Sequence, residues 1–226
     1  MIPSRSTTFV ERLSDDDRSA LLALGRTRQL ARSEHLLREG WHGREVVVIT
    51  TGWAKIVAVT PAGEEVVLGL RGPGDLAGEL AALDETADGR SASVRALTPL
   101  HAVFVTGDAF VTFLQTHPSA SLALLRELIS RLREASSRTV RHGTLDVQRH
   151  LARLLVELAG RTRGTPTDQR VIDLGLTQAD LAGLLSCSLD AVAKALATLR
   201  AEGLILTGRR TITIPSTERL SLFANR

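Results

Sequence analysis

Two short segments contain residue types that suit the binding of a phosphorylated sugar. Residues 74–83 read GDLAGELAAL, and residues 89–91, a few positions further on, read GRS. Arg90 can hold a phosphate through two parallel N–H bonds, and Ser91 adds a hydroxyl donor. The carboxylate of Glu79 can accept hydrogen bonds from sugar hydroxyls. Together these side chains indicate a site for a sugar phosphate.

The sequence ELAAL at residues 79–83 predicts one or two turns of helix within a region of strands. The start of such a helix, at Gly78, Glu79 and Leu80, offers free backbone N–H groups that attract an anion. The alternative is a surface loop in which an arginine and a serine are neighbours by chance. Residue types alone favour the loop, so the surrounding elements must decide.

The region from about residue 28 to residue 104 predicts an antiparallel sandwich or barrel. Short runs rich in valine, isoleucine and leucine alternate with turn signals such as Pro61-Ala62-Gly63 and Gly72-Pro73-Gly74. Before this region, Ser14 and three aspartates predict the start of a short helix. We expect strands at 46–51, 54–60, 65–70, 93–97 and 101–106, followed by a helix at 107–115.

Residues 118–142 predict one long helix. Its apolar or small residues recur at steps of three and four, which is the period of a coiled coil. A second row, at Leu124, Leu128 and Arg131, can face another body. The simplest interpretation is a helix that pairs two chains and connects an N-terminal sensor domain of strands to a small C-terminal helical domain. A single helix that packs in the core is the alternative. The seam consists of Leu122, Leu125, Ile129, Leu132, Ser136 and Thr139.

The C-terminal part predicts a helix-turn-helix followed by a β hairpin. Thr177 can cap a helix that ends at residue 184 or 185, and Ser188 can cap a second helix at 189–201. Before them, Asp146 can cap a helix that runs to about residue 160. The hairpin strands are expected at 204–207 and 211–215, with Arg209 and Arg210 at the tip.

Composition limits the classes of protein to consider. The chain has 226 residues, 43% of them apolar, and neither an apolar run near 18 residues nor a signal peptide, so we expect a soluble cytoplasmic protein without a membrane partner. The single cysteine excludes an intrachain disulfide framework. Residues 138–226 contain 13 Lys+Arg against 8 Asp+Glu. This excess indicates a polyanionic partner, and a solvated basic face is the alternative.

The order of these features resembles the Crp/Fnr family of bacterial transcription regulators. GDLAGELAAL…GRSASVRA resembles the family's phosphate-binding cassette, and LTQADLAGLLSCSLDAVAKALATLRAEGLI resembles its helix-turn-helix. The resemblance implies an α+β chain that acts as a homodimer on palindromic double-stranded DNA, with RNA polymerase as a further candidate partner. The implied domains are a β-roll (jelly-roll-like) sensor at 1–117, a dimerisation helix at 118–142 and a winged helix-turn-helix at 143–226.

The resemblance also implies a cyclic nucleotide as effector. Glu79 would contact the ribose, and Arg90 and Ser91 the cyclic phosphate. The Thr–Ser pair with which the family meets adenine is replaced by Ala135-Ser136, so the base-binding half is altered. Cyclic AMP is the leading candidate, while cyclic GMP, another nucleotide or no ligand remain open. The implied ligand-binding residues are Gly78, Glu79, Leu80, Arg90, Ser91, Arg131 and Ser136.

The recognition helix departs from the family pattern. Leu189 stands where the family often has a guanine-reading arginine, and leucine cannot bond to guanine O6 and N7. Asp190 can accept from cytosine N4, and Lys194 can reach guanine or a phosphate. Phosphate contacts elsewhere would position the domain without reading sequence. The implied DNA-binding residues are Thr177, Gln178, Ser188, Leu189, Asp190, Lys194, Arg209 and Arg210.

Enzymatic function is disfavoured. A cupin-like metalloenzyme needs clustered ligands such as His-x-His, but the six histidines are scattered, and no catalytic constellation is present. We therefore expect no metal and no resident cofactor. Iron–sulfur sensing is disfavoured because Cys187, expected as a small buried residue, lies in the reader. A DNA-binding regulator that is active without ligand remains the third alternative.

Overall fold

A computed structural model of the chain describes residues 7–84, 86, 88–140, 147–162 and 168–225. The chain forms two compact units, one comprising Thr7–Arg133 and the other the chain from Glu134 onward. Asp146, expected to cap a helix, lies outside the described residues. The division into three domains at residues 117 and 142 remains a prediction.

Two four-stranded antiparallel sheets form the β-roll of the first unit. One sheet has the strand order β1-β8-β3-β6 and the other β2-β7-β4-β5. The five predicted strands are all present, and β1, β2 and β6 complete the sheets. The strands are β1 (Arg26–Leu30), β2 (His35–Leu37), β3 (Val46–Thr51), β4 (Ala54–Val59), β5 (Glu65–Arg71), β6 (Leu76–Ala77), β7 (Ser93–Ala96) and β8 (Leu100–Val105).

Strand β3 shows why some strands were predictable and others were not. Val46 and Val48 pack in the core beneath the helices, whereas Val47 and Ile49 pack between the sheets. A strand buried on both faces has a continuous apolar sequence that is easily recognised. Strand β1 has only Leu30 buried, so its polar sequence lacks that signal.

Helices cover one face of the β-roll. They are α1 (Asp15–Ala23), α2 (Glu79–Leu83), α3 (Gly107–Thr116) and α4 (Pro118–Val140), with a 3-10 turn at Val10–Arg12. The predicted cap of α1 is confirmed, because Ser14 Oγ accepts from the Asp17 N–H at 3.1 Å. Ser119 at the start of α4 donates to Asp17 Oδ2 at 2.6 Å, which ties α4 to α1.

The second unit contains the predicted helix-turn-helix and a three-stranded sheet of order β10-β11-β9. The hairpin strands are shorter than predicted, because the N–H groups of Leu204 and Ile205 both donate to Leu199 O at the end of a helix. Strand β9 and helix α8 were not predicted. The elements are α5 (Val147–Arg161), β9 (Arg170–Ile172), α6 (Gln178–Leu185), α7 (Leu189–Ala201), β10 (Leu206–Thr207), β11 (Ile212–Ile214) and α8 (Thr217–Ala224).

Within the described ranges no single helix is long and apolar enough to cross a membrane. The pair α6 and α7 passes only when the two are joined, and they are bent by 103° at their break.

Candidate functional site

The cassette segment turns sharply between β6 and α2. Gly78 has φ +85°, in the left-handed region, and occupies the N-cap position of α2. A Cβ atom on this glycine would lie 2.6 Å from Glu45 O and 2.7 Å from Arg90 Nη1. The absence of a side chain at Gly78 therefore lets the arginine approach the start of α2.

Arg90 is buried in the cassette, and one of its guanidinium nitrogens lacks a hydrogen-bond partner among the described residues. Its side chain donates from Nη2 to Glu45 O at 2.9 Å, and the residue is only 7% exposed. Nη1 is buried without a hydrogen-bond partner among the described residues. Burial lowers the pKa of Arg90 from its usual value. A buried N–H of a cation without an acceptor is unfavourable, so this atom is suited to donate to an anionic ligand.

Glu79, the first residue of α2, has a buried carboxylate oxygen that lacks a hydrogen-bond donor among the described residues. It is 3% exposed, and Oε1 accepts from Arg131 Nη1 of α4 at 2.5 Å. Oε2 is buried without a hydrogen-bond partner among the described residues. Arg131 also donates from Nε to Glu127 Oε1 at 3.0 Å. The cassette thus contains one buried donor and one buried acceptor that a phosphate and a hydroxyl can satisfy.

The other residues predicted for the ligand are arranged differently. Leu80 and Ser91 are exposed at the cassette surface. Ala135 and Ser136 are also exposed and belong to the second unit. The structure therefore brings Gly78, Glu79, Arg90 and Arg131 into one cluster, while the side chains of Leu80 and Ser91 are exposed to solvent.

Arg71, the last residue of β5, also lies at the cassette and was not predicted from the sequence. It donates from Nε to Leu76 O at 3.0 Å and from Nη1 to Leu70 O at 2.9 Å. Arg131 Nη2 donates to the same Leu76 oxygen at 3.3 Å. Burial first, and then the charge of Arg131, lowers the pKa of Arg71 to about 10. Nothing in the sequence separates such an arginine from a solvated strand end.

Gly78→Ala is expected to destabilise the protein and to reduce ligand binding. The left-handed conformation costs an alanine about 1–2 kcal/mol, and the overlap with Glu45 O and Arg90 adds to that cost. Thermal unfolding and nucleotide titration measure the two effects. Gly63→Ala is the matched control, because Gly63 has φ +83° with nothing within 4 Å of the added Cβ. Equal stability losses in both variants would contradict the role given to the overlap.

The helix-turn-helix has the predicted caps. Asp180 N–H donates to Thr177 Oγ1 at 3.0 Å while Thr177 N–H donates to Asp180 Oδ2 at 2.9 Å, which is a capping box. Ser188 Oγ accepts from the Ala191 N–H at 3.2 Å at the start of α7. Both caps confirm the predicted helix starts. The buried contacts of the corner include Leu181, Leu184, Val192, Leu196 and Leu199.

The exposed start of α7 presents Leu189, Asp190 and Lys194. Leu189 is 54% exposed, and Lys194 Nζ lies 2.7 Å from Asp190 Oδ2, one turn away. The hydrogen bond that the Lys194 ammonium donates to the Asp190 carboxylate raises the pKa of Lys194. The two polar residues expected to meet DNA thus contact each other, while the leucine is unpaired on the surface. Thr177, Gln178, Ser188, Arg209 and Arg210 are exposed as well.

Helix α4 presents two different faces. Ala120, Ala123 and Leu124 are buried in the core of the first unit, and Leu128 packs against that core. The second row predicted from the sequence therefore faces the β-roll core. The side chain of residue 139, the last predicted seam position, lies outside the described residues. The exposed apolar seam residues are Leu122, Leu125, Ile129 and Leu132.

Histidine and cysteine side chains form no further site in the part of the chain that is described. No group of three or more His, Cys, Asp or Glu residues there is placed to hold a metal ion. Cys187 is partly buried, and burial raises the pKa of its thiol. The thiol form is therefore favoured over the reactive thiolate.

Each of the two units contains a segment that matches a known protein family. Residues 27–117 match the cyclic nucleotide-binding domain, and residues 149–223 match the Crp-like helix-turn-helix domain. The CRP-like cAMP-activated global transcriptional regulator of Mycobacterium tuberculosis (strain ATCC 25618 / H37Rv) is 32% identical over 208 residues, which are 90% of this chain and 91% of that protein. The cAMP-activated global transcriptional regulator CRP of Escherichia coli O157:H7 is 25% identical over 182 residues, 80% of this chain and 86% of that protein.

Solved structures match the fold as well. The c-di-GMP-responsive global regulator CLP of Xanthomonas campestris has a TM-score of 0.71 at 22% identity, with 89% of this chain and 99% of that chain covered. FixK2 of Bradyrhizobium japonicum has a TM-score of 0.71 at 18% identity, with 87% of this chain and 95% of that chain covered. These two likenesses concern the fold alone.

Proposed function

Because the chain belongs to the Crp/Fnr family of transcription regulators, we propose that a cyclic nucleotide in the first unit controls its affinity for an operator. The chain is a DNA-binding transcription regulator with a cyclic nucleotide-binding domain, and it is not an enzyme. The proposal concerns the effector, the dimer and the residues that contact each partner.

One observation carries the effector proposal: the two buried polar atoms of the cassette that lack partners. Arg90 Nη1 is a donor and Glu79 Oε2 is an acceptor. A cyclic phosphate supplies acceptor oxygens for Arg90, and a ribose hydroxyl supplies a donor for Glu79. Cyclic AMP is the first nucleotide to test, because the relative that is 32% identical is named a cAMP-activated regulator.

The hydrogen bond between Glu79 and Arg131 supports a route from ligand to helix. Arg131 belongs to α4, the helix that also presents the exposed seam. A ligand that bonds to Glu79 changes the environment of this ion pair and favours one setting of α4 over another. A coupling of about 1–3 kcal/mol would change DNA affinity roughly 5- to 150-fold.

On the DNA side we propose a homodimer on a palindromic operator. The exposed seam at Leu122, Leu125, Ile129 and Leu132 supports pairing about a two-fold axis. In this proposal residues 1–117 sense the nucleotide, residues 118–142 form the dimer and residues 143–226 bind DNA. RNA polymerase remains a predicted partner. The proposed DNA contacts are Thr177, Gln178, Ser188, Leu189, Asp190, Lys194, Arg209 and Arg210.

Calorimetric titration with cyclic AMP and cyclic GMP, followed by DNA binding with and without nucleotide, tests the proposal. We expect binding of at least one nucleotide at micromolar to millimolar concentration and a change in DNA affinity on binding. Tight DNA binding without any nucleotide binding would overturn it and would favour the ligand-independent regulator.

Leu189→Arg is expected to shift operator preference toward guanine at one position of each half-site. An arginine at this exposed position gains the bidentate bond to O6 and N7, worth about 1–3 kcal/mol of discrimination. Selection from random DNA with wild type and variant measures the shift. Leu222→Arg is a control, because Leu222 is also exposed but lies on α8. If wild type and Leu189→Arg select identical DNA sites, residue 189 does not contact the base edges, and this proposed contact is wrong.

A further inference from the structure

Arg71 lies in the nucleotide cassette beside the residues of the proposed site. Leu76 O accepts from Arg71 Nε at 3.0 Å and from Arg131 Nη2 at 3.3 Å. Arg131 in turn holds Glu79 at 2.5 Å. Because one carbonyl oxygen accepts from both arginines, a chain of three hydrogen bonds connects the guanidinium of Arg71 to the Glu79 carboxylate.

The charge of Arg71 is not neutralised by a direct ion pair. Arg131 has two carboxylate partners, Glu79 and Glu127, whereas Arg71 bonds only to the neutral carbonyls of Leu70 and Leu76 among the described residues. With a pKa of about 10, Arg71 remains a cation at neutral pH. Arg71 nevertheless lies near the carboxylates of Glu79, Asp75 and Glu127, which partly offset the lowering of its pKa by burial. Its Nη2 atom makes no hydrogen bond among the described residues, so it can donate to an acceptor of a ligand.

Arg71 and Arg90 are held by different main-chain carbonyl groups. Arg90 is held by Glu45 O next to Gly78, and Arg71 is held by the carbonyls of Leu70 and Leu76. Each guanidinium keeps one terminal nitrogen that makes no hydrogen bond within the described part of the chain. The site therefore offers two separate sets of N–H donors.

We infer that Arg71 binds a second acceptor group of the nucleotide, different from the cyclic phosphate assigned to Arg90. This inference rests on the proposed function of the cassette. A guanidinium only donates, so it favours the O6 and N7 acceptors of guanine over the N6 donor and N7 acceptor of adenine. A second phosphate, as in a cyclic dinucleotide, presents the same chemistry.

Calorimetric titration of the full-length protein with cyclic AMP, cyclic GMP and cyclic di-AMP tests the inference. We expect wild type to bind cyclic GMP or cyclic di-AMP about tenfold or more tightly than cyclic AMP. A gain with cyclic GMP identifies the base edge, and a gain with cyclic di-AMP identifies a second phosphate. Arg71→Met should reduce the ratio to about one with little change for cyclic AMP, and Arg71→Lys should keep part of it because lysine lacks the planar fork.

The affinity for cyclic GMP or cyclic di-AMP relative to cyclic AMP distinguishes a direct contact between Arg71 and the ligand from a purely structural role of Arg71. Arg28→Met is the matched control, because Arg28 lies on β1 over the Phe104 ring, away from the cassette. Equal weakening of all three nucleotides by Arg71→Met would mean that Arg71 only supports the cassette, and the inference would be wrong. Wild type that prefers cyclic AMP would also overturn it while leaving the proposed function intact. Wild type that binds none of the three would overturn both.

Discussion

Arg90→Ala is expected to abolish measurable cyclic nucleotide binding while leaving the protein folded. Two charge-assisted hydrogen bonds to the cyclic phosphate are worth about 1.5–3 kcal/mol each, so their loss weakens binding by about a hundredfold or more. The variant also removes a buried cation whose Nη1 is unsatisfied, which offsets the lost bond to Glu45 O. We therefore expect the melting temperature to change by only about 2–4 °C, as for a change of about 1 kcal/mol in unfolding free energy.

The measurement is calorimetric titration of wild type and Arg90→Ala, with circular dichroism to verify the fold. Arg44→Ala is the matched control, because Arg44 also bonds to a main-chain carbonyl of the cassette, Ala82 O, at 2.8 Å. Its guanidinium is more exposed and also lies 3.2 Å from Asp108. The control should retain nucleotide affinity. If Arg90→Ala binds nucleotide as wild type does, the phosphate does not lie on Arg90.

Ile129→Lys is expected to convert a dimer into a monomer and to reduce operator affinity by about a hundredfold or more. In the proposed two-fold dimer the seam would contain two copies of residue 129, so two lysines would face each other between apolar side chains. Burying an unpaired charge costs several kcal/mol, which weakens pairing of the two helices by about a hundredfold or more. A monomer contacts only one half-site and loses the joint binding of two recognition helices.

Sedimentation at micromolar concentration and binding to a palindromic operator measure the two effects. Leu222→Lys is the matched control, because Leu222 is exposed and apolar but lies on α8, outside the seam. This control should sediment as wild type does. Wild type that sediments as a monomer would show that the seam on α4 does not pair, and the operator would then need no two-fold symmetry.

Much of the fold was predictable because its signals are local. The valine-rich sequence of β3 predicts a strand, since both of its faces are buried. Ser14, Thr177 and Ser188 each cap a helix by a hydrogen bond to a residue three positions away, so a short stretch of sequence contains both partners. Strand β1 was missed because its sequence is mostly polar. Helix α8 was missed although it has a local signal of the same kind, since Ser216 caps it by accepting from the Arg219 N–H.

The two faces of α4 show what the spacing of apolar residues cannot predict. The sequence places two apolar rows on this helix, and the periodicity does not say which row packs inside the protomer. The structure buries Leu124 and leaves Leu125 and Ile129 exposed, because the core at Phe110 contacts only one side of the helix. That asymmetry supports the dimer proposal more directly than the heptad pattern does.

The sequence by itself determined the residue types of the cassette, the caps of the reader helices and the family. Only the tertiary structure decided that Arg90 and Glu79 are buried with unsatisfied atoms, that Arg131 reaches Glu79 from 52 residues away, and that Arg71 joins them. The physical reason is that a polar group needs a partner in the protein or in a ligand only when folding removes it from water. Burial depends on contacts between distant segments, which neither residue type nor spacing records.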